Sequence, residues 1–90
     1  MVTVRIPTVL RSLTGGAATV TAGGDTVVEV LRQVATSHPG LAERLFDGSG
    51  GIRPFVNVFV DDEDIRFAQG LGTEVADGQT VSILPAIAGG

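Results

Sequence analysis

The sequence has 90 residues, of which 43% are hydrophobic and 18% are charged, and this balance predicts one packed domain rather than a disordered chain. The net charge is −4, so nucleic acid is not an expected partner. There is no cysteine, which excludes disulfides, thiolate metal sites and a cysteine nucleophile. All six basic residues are arginines, and without a lysine the chain cannot form a P-loop. No apolar run approaches the roughly 20 residues that span a bilayer, and the N-terminus does not resemble a signal peptide, so we expect a cytoplasmic protein without membrane contact.

The first half of the chain predicts two strands and the main helix. Residues 2–6 alternate between apolar and polar side chains, which is typical of a strand, and residues 17–22 predict a second, weaker strand. Thr26 and Glu29 have the spacing of a capping box, which predicts the start of a helix that ends near His38, before a Pro-Gly pair. The predicted apolar stripe of this helix consists of Val27, Val30, Leu31 and Val34.

The second half is predicted to contain a short helix at 41–46, a loop at 47–51, a strand at 55–60, a polar turn at 61–64, a brief strand at 65–67, an irregular segment at 70–77 and a last strand at 80–84. This order predicts an α+β fold of the β-grasp (ubiquitin-like) type. We expect a mixed sheet of four to five strands, with the first and last strands adjacent in its middle. The main helix and the short helix cover one face. Residues 1–84 form the predicted domain, and residues 85–90 form a flexible C-terminal tail.

Two groups of titratable residues are predicted not to be functional sites. His38 is the only histidine, and a single imidazole makes neither a metal site nor a convincing base, so we interpret it as a solvated helix-end residue. The four consecutive acids at 61–64 cannot all reach one ion and lack the spacing of a calcium loop, which favours a solvated turn beside an edge strand. We therefore predict neither a metal site nor a catalytic residue.

One apolar pair is predicted to lie on the uncovered face of the sheet. Alternation along the strands at 55–60 and 80–84 places Phe59 and Leu84 opposite the helix-covered side. A cluster of exposed apolar side chains beside the tail suggests a surface that binds a partner protein. Cover by a loop of the same chain is the alternative.

The chain ends in the tail Pro85, Ala86, Ile87, Ala88, Gly89 and Gly90. Proline lacks an N–H group, so Pro85 is expected to end the strand ladder and to release a tail that reaches about 20 Å when extended. A terminal Gly-Gly has no side chains to obstruct a narrow channel. The Gly90 carboxylate is an anion at neutral pH and a poor electrophile, so it needs activation by another protein. The pattern predicts a chain whose own C-terminus is the substrate.

These features resemble the ubiquitin-like sulfur carriers related to ThiS and MoaD. The resemblance covers essentially the whole chain and is strongest in "VTVRIPTVLR" with "TGG", in "FVNVFVDDEDIRF" and in "ILPAIAGG". The last two pieces favour the CysO branch, which serves actinobacterial cysteine biosynthesis.

The resemblance implies a cycle that partner enzymes carry out. An E1-like enzyme similar to MoeB or MoeZ adenylates the Gly90 carboxylate with ATP, and sulfur transfer then yields a thiocarboxylate. Residues 85–90 enter partner active sites. The sulfur acceptor is a PLP enzyme similar to CysM, with release of the adduct by a zinc metallopeptidase, or a thiosugar synthase of a thio-natural product. ATP, PLP and zinc are expected only in these partners, and no cofactor is expected in this chain.

Two other functions fit the same residues. A ubiquitin-like modifier would form isopeptide bonds through Gly90 to lysines of target proteins. A plain β-grasp interaction module would act through its open face and would not depend on Gly89 and Gly90.

Overall fold

A computed structural model describes residues 1–49, 51–54 and 56–85, with Pro85 described by its backbone alone. Five strands lie within these residues: β1 (Val2–Arg5), β2 (Thr19–Ala22), β3 (Val56–Val60), β4 (Glu63–Asp64) and β5 (Thr80–Pro85). The described helices are α1 (Val27–Ser37), α2 (Pro39–Leu45) and three short 3-10 helices, Thr8–Thr14, Ile65–Phe67 and Gly70–Gly72. None of the helices in this described part is long and apolar enough to cross a membrane.

The strands form one mixed sheet in the order β2-β1-β5-β3-β4. The first and last strands are parallel neighbours in its centre, with Val4 opposite Val81, and the other three pairings are antiparallel. This arrangement confirms the predicted β-grasp fold.

The core lies between one face of the sheet and the two α-helices. Val4, Val81 and Ile83 point to this face and are buried, and so are the four predicted stripe residues of α1. The buried apolar residues on the sheet and in α2 also include Val2, Ile6, Ala22, Val58, Val60, Leu41 and Leu45. Because both α-helices pack on the same side, the opposite face of the sheet carries no α-helix in the described part of the chain.

Helix α1 begins with the predicted cap, with one difference in its hydrogen bonds. The Thr26 hydroxyl accepts from the Glu29 N–H at 3.4 Å, as expected for a capping box. The Glu29 carboxylate accepts from the Asp25 N–H at 3.0 Å, one residue before the N–H that the motif predicts. Together the two side chains satisfy donors at the start of the helix.

Helix α2 starts earlier than predicted, because a proline can begin a helix as well as end one. The prediction for 41–46 treated Pro39 only as a terminator of α1, whereas α2 begins at Pro39 and ends at Leu45. The first residue of a helix has no intrahelical acceptor for its N–H, so proline is favoured there. Pro39 therefore separates the two helices and starts the second.

The predicted strand at 65–67 is wrong. The edge strand is β4, and residues Ile65–Phe67 form a 3-10 helix. Only Asp61 and Asp62 connect β3 to β4, and Asp61 has a φ of 54°, which matches a tight two-residue hairpin turn. The Asp64 carboxylate accepts from the Arg66 N–H at 2.8 Å, and this bond turns the backbone out of the strand.

Gly24 is the glycine whose replacement we expect to destabilise the fold most clearly. Its φ is 149°, and a Cβ there would lie 2.9 Å from the backbone N of Val30. We expect Gly24→Ala to lower the free energy of unfolding by about 1–3 kcal/mol, through backbone strain and overpacking. Urea denaturation measures this change. Gly48→Ala is the matched control, because nothing lies within 4 Å of a Cβ at Gly48. Equal losses in the two variants would contradict the prediction.

Candidate functional site

Strand β5 leads directly into the tail. The strand runs one residue past the predicted boundary at 84, because Pro85 still lies opposite Val56 of β3. In an antiparallel ladder, hydrogen-bonded residue pairs alternate with pairs that exchange no hydrogen bonds. The Asp61 N–H donates to the Thr80 carbonyl at 2.7 Å, so counting along the ladder from this bonded pair makes Val56 and Pro85 a pair without hydrogen bonds. Proline is tolerated at this position because β3 does not require its missing N–H.

The predicted modification site lies outside the described residues. Gly90, and Ala86 to Gly89 before it, belong to this undescribed part of the tail. Their roles therefore stay predictions, as do the domain boundary at 84 and the role of Pro85. What the structure supplies is the place from which the tail starts, at the end of a central strand.

The predicted apolar pair does lie on the uncovered face. Leu84 is 48% exposed, and Phe59 is half-buried. Phe59 lies opposite Ser82 and Leu84 lies opposite Asn57, so the two apolar side chains are diagonal neighbours across β3 and β5. Diagonal pairs of this size are within reach of each other. The structure thus places both residues next to the start of the tail, while their role in partner binding stays a prediction.

The acidic turn is solvated only in part. Asp61, Asp62 and Glu63 are exposed, but Asp64 is only 7% exposed, so the prediction of four solvated acids is wrong for this residue. Arg66 donates to the Asp64 carboxylate from Nη2 at 2.7 Å and from Nε at 3.1 Å. This bidentate pair satisfies the buried carboxylate.

In the described part of the chain, no three or more histidine, aspartate or glutamate side chains are arranged so that they could hold a metal ion. His38 is half-buried and lies between the two α-helices, where its backbone N–H donates to the Val34 carbonyl at 2.8 Å. His38 thus lies at the predicted end of α1, but its side chain is more buried than the predicted solvated residue.

The ion pair with Arg66 gives Asp64 a defined pH dependence. Hydrogen bonds from Arg66 lower the pKa of the Asp64 carboxyl below its usual value. The pair therefore stabilises the fold above the unfolded pKa of about 3.9 and loses this effect as the pH falls through the lower folded pKa.

We expect Asp64→Asn to lower the Tm by several degrees at about pH 7, and by much less at an acid pH below the lowered pKa of the folded state, where the wild-type carboxylate is also protonated. Thermal unfolding followed by circular dichroism at both pH values measures the difference. Asp62→Asn is the control, since Asp62 is exposed. An Asp64→Asn effect of the same size at both pH values would contradict the assignment.

A cavity near the tail was not predicted from the sequence. An open cavity of about 450 Å³ lies where β1 and β5 end, and Arg5, Arg11 and Leu84 are among its lining residues. One feature of the sequence relates to this cavity: Pro7 follows β1, and Pro85 ends β5. The connection between the two prolines can be recognised only when the register of the two strands is known.

Comparison with known proteins gives a consistent family. The model of the ThiS family matches residues 4–90. The sulfur carrier protein CysO of Mycobacterium tuberculosis is 52% identical over 91 residues, which cover 99% of this chain and 98% of that protein. In the crystal structure of an Amycolatopsis orientalis BexX/CysO complex, the matching chain is 50% identical with a TM-score of 0.92, and each chain is covered completely. Small archaeal modifier protein 3 of Haloferax volcanii is 38% identical over 65 residues, or 72% of this chain and 70% of that protein.

Proposed function

Because this chain belongs to the ThiS family and is similar to CysO over its whole length, we propose that it is a sulfur carrier that holds sulfur as a thiocarboxylate on Gly90. The observation that carries the proposal is the 52% identity over 99% of the chain to a protein named as a sulfur carrier. The place where the tail starts supports it, since the central strand β5 ends at Pro85. The chain itself is the substrate of partner enzymes rather than an enzyme.

The proposed loading reaction has three steps, and each has a defined leaving group. An oxygen of the Gly90 carboxylate attacks the α-phosphorus of ATP, and pyrophosphate leaves, which converts a poor electrophile into an acyl adenylate. A persulfide sulfur on a partner protein attacks the carbonyl carbon, and AMP leaves. A thiol then attacks the resulting acyl disulfide, which releases the thiocarboxylate and forms a disulfide with the sulfur donor. A partner of the MoeB or MoeZ type holds the ATP, and we place the cycle in the cytoplasm, where ATP is supplied.

The length and the composition of the tail fit this chemistry. The five residues beyond Pro85 reach about 17 Å when extended, far enough to carry Gly90 into a recessed active site while the domain stays outside. Gly89 and Gly90 add no side-chain bulk at the reacting carbonyl. Phe59 and Leu84, beside the start of the tail, form the proposed docking surface for the enzyme.

The sulfur acceptor belongs to the same proposal. Its two candidates are a PLP-dependent synthase similar to CysM, followed by a zinc metallopeptidase that releases the product, and a thiosugar synthase. The naming of the Amycolatopsis neighbour as a BexX/CysO complex supports a direct complex between a chain of this fold and a partner protein.

A second candidate function is conjugation to other proteins. The 38% identity to a small archaeal modifier protein favours it. In that case Gly90 would form isopeptide bonds with lysines of target proteins. This chain has no lysine of its own, so it could be attached to a target but could not be extended through its side chains.

Isotope-labelled sulfur tests the proposal and separates the two functions. The chain is incubated with ATP, the adenylating enzyme and a labelled sulfur donor, with a parallel reaction that lacks ATP. We expect ATP-dependent label on the chain, and transfer of the label to a small molecule when the acceptor enzyme is added. Isopeptide-linked adducts in place of labelled chain would favour the modifier. The absence of label, with an enzyme that loads a known carrier, would overturn the proposal.

A further inference from the structure

Two prolines end the ladder between the central strands at the same level. The Thr3 N–H donates to the Gln79 carbonyl at 3.1 Å, and this register makes every second residue of β1 and β5 a donor to the other strand. The next rungs after Arg5 would require N–H groups at positions 7 and 85, and both positions are proline. The two strands therefore lose their hydrogen bonds to each other at the end of the sheet that carries the tail.

The space at this level is the open cavity of about 450 Å³, which we call the notch. The lining residues of the notch are Arg5, Ile6, Pro7, Thr8, Val9, Arg11, Ser82, Ile83 and Leu84. Two guanidinium groups are therefore present in the described lining, and no carboxylate is. Two apolar side chains at the notch are also strongly exposed, because Val9 is 70% exposed and Leu84 is 48% exposed.

The two arginines are available to an external anion. The Arg11 Nε donates to the Ile6 carbonyl at 3.1 Å, which holds the guanidinium beside the notch and leaves its two terminal nitrogens for other partners. The ion pairs within residues 1–49, 51–54 and 56–85 involve other basic groups, the Met1 amine with Asp77 and Arg66 with Asp64. Arginine recognises carboxylates well because its planar fork of donors matches their two oxygens.

The opposite end of the sheet is acidic. Six carboxylates lie near the start of β1 and β5 and at the turn after β3: Asp25, Asp61, Asp62, Glu63, Glu74 and Asp77. Charge is therefore separated along the direction of the strands, with carboxylates at one end of the sheet and the arginine-lined notch at the end where the tail starts. In the field of an acidic partner surface, such a molecule approaches with its tail end first.

We propose that the notch binds carboxylate side chains of the adenylating enzyme, at the entrance through which the tail passes. Arg5 and Arg11 pair with these carboxylates, while Val9 and Leu84 pack against apolar residues around them. The contact orients the chain so that Gly90 enters the nucleotide site. This inference rests on the proposed function, because it assigns the notch to the enzyme that activates Gly90.

The test compares two double variants that change the net charge equally. Arg5→Gln/Arg11→Gln removes the charge of the notch, and Arg32→Gln/Arg44→Gln removes two exposed arginines from the outer sides of α1 and α2. The initial rate of ATP-dependent loading is measured against carrier concentration at low and high salt. We expect the notch variant to raise KM about tenfold at low salt, with a smaller difference at high salt and little change in kcat. The helix variant should change KM less than twofold.

Equal effects of the two double variants would overturn the proposal, since only the net charge would then matter. A wild-type KM for the notch variant would overturn it as well. Thermal unfolding checks that the variants are folded. If the loss of the hydrogen bond from Arg11 to Ile6 destabilises the double variant, the single variant Arg5→Gln replaces it in the test. If the wild-type chain binds the enzyme but is not loaded, the proposed function fails. The equilibrium Kd values of the two double variants then still show whether the notch binds the enzyme. Absence of any binding would overturn both.

Discussion

Deletion of Gly90 is expected to reduce the rate of adenylation by at least about 100-fold while leaving the Tm unchanged. The deletion withdraws the terminal carboxylate by about 3.6 Å, the span of one extended residue. A misplacement of about 1 Å at a reacting group can already cost about 100-fold. The fold should not respond, because the chain between β1 and Pro85 is intact. Initial rates of pyrophosphate release measure the effect, and thermal unfolding measures the stability.

Substitution of the neighbouring glycine refines this prediction. Gly89→Val keeps the length of the tail and adds a branched side chain next to the reacting carbonyl, so it should also slow adenylation strongly if the tail passes through a narrow channel. Gly48→Ala is the control, since this exposed glycine lies in the loop after α2. Adenylation of the Gly90-deleted chain at the wild-type rate would contradict the assignment of this residue as the substrate.

Leu84→Asp is expected to weaken binding to the adenylating enzyme by about 30-fold. A central apolar contact in a protein interface contributes about 2 kcal/mol or more, and each 1.4 kcal/mol changes the affinity about tenfold. A carboxylate at this position would also lie beside the arginines of the notch and would compete with the carboxylates of the partner. Leu84 is 48% exposed, so the variant should fold. Titration of the enzyme without ATP gives the Kd.

Phe67→Asp is the matched control for this variant. Phe67 is 83% exposed and lies in the 3-10 helix that follows the edge strand β4, outside β3 and β5. Both substitutions replace an exposed apolar side chain with a carboxylate and change the net charge equally. Equal losses of affinity would indicate a general charge effect, and an unchanged Kd for Leu84→Asp would show that this face does not dock on the enzyme.

The parts of the fold that could be predicted from the sequence are those in which one local pattern decides the structure. The apolar stripe of α1 and the alternation along β1, β3 and β5 identify the buried face of each element, and burial then fixes how the elements pack. The outward positions of Phe59 and Leu84 followed from the same alternation. For this reason the predicted strand neighbours and the predicted open face agree with the structure.

The predictions that failed depended on tertiary contacts. Residues 65–67 have the composition of a strand, but the bond between Asp64 and Arg66 turns the backbone into a 3-10 helix. The burial of Asp64 in an acidic run could not be read from the run itself, because its partner is selected by the turn geometry. The notch required the register between β1 and β5, which places Pro7 and Pro85 at the same level.

The sulfur-carrier proposal can be tested most directly by measuring the mass of the intact chain. The protein is incubated with ATP, the adenylating enzyme and a sulfur donor, and is then treated with a thiol-directed alkylating reagent. Since the chain has no cysteine, a thiocarboxylate is the expected site of alkylation. We predict a single adduct that maps to Gly90 and is absent from the Gly90-deleted chain. An unmodified mass, under conditions in which the same enzyme loads a known carrier, would contradict the sulfur-carrier account.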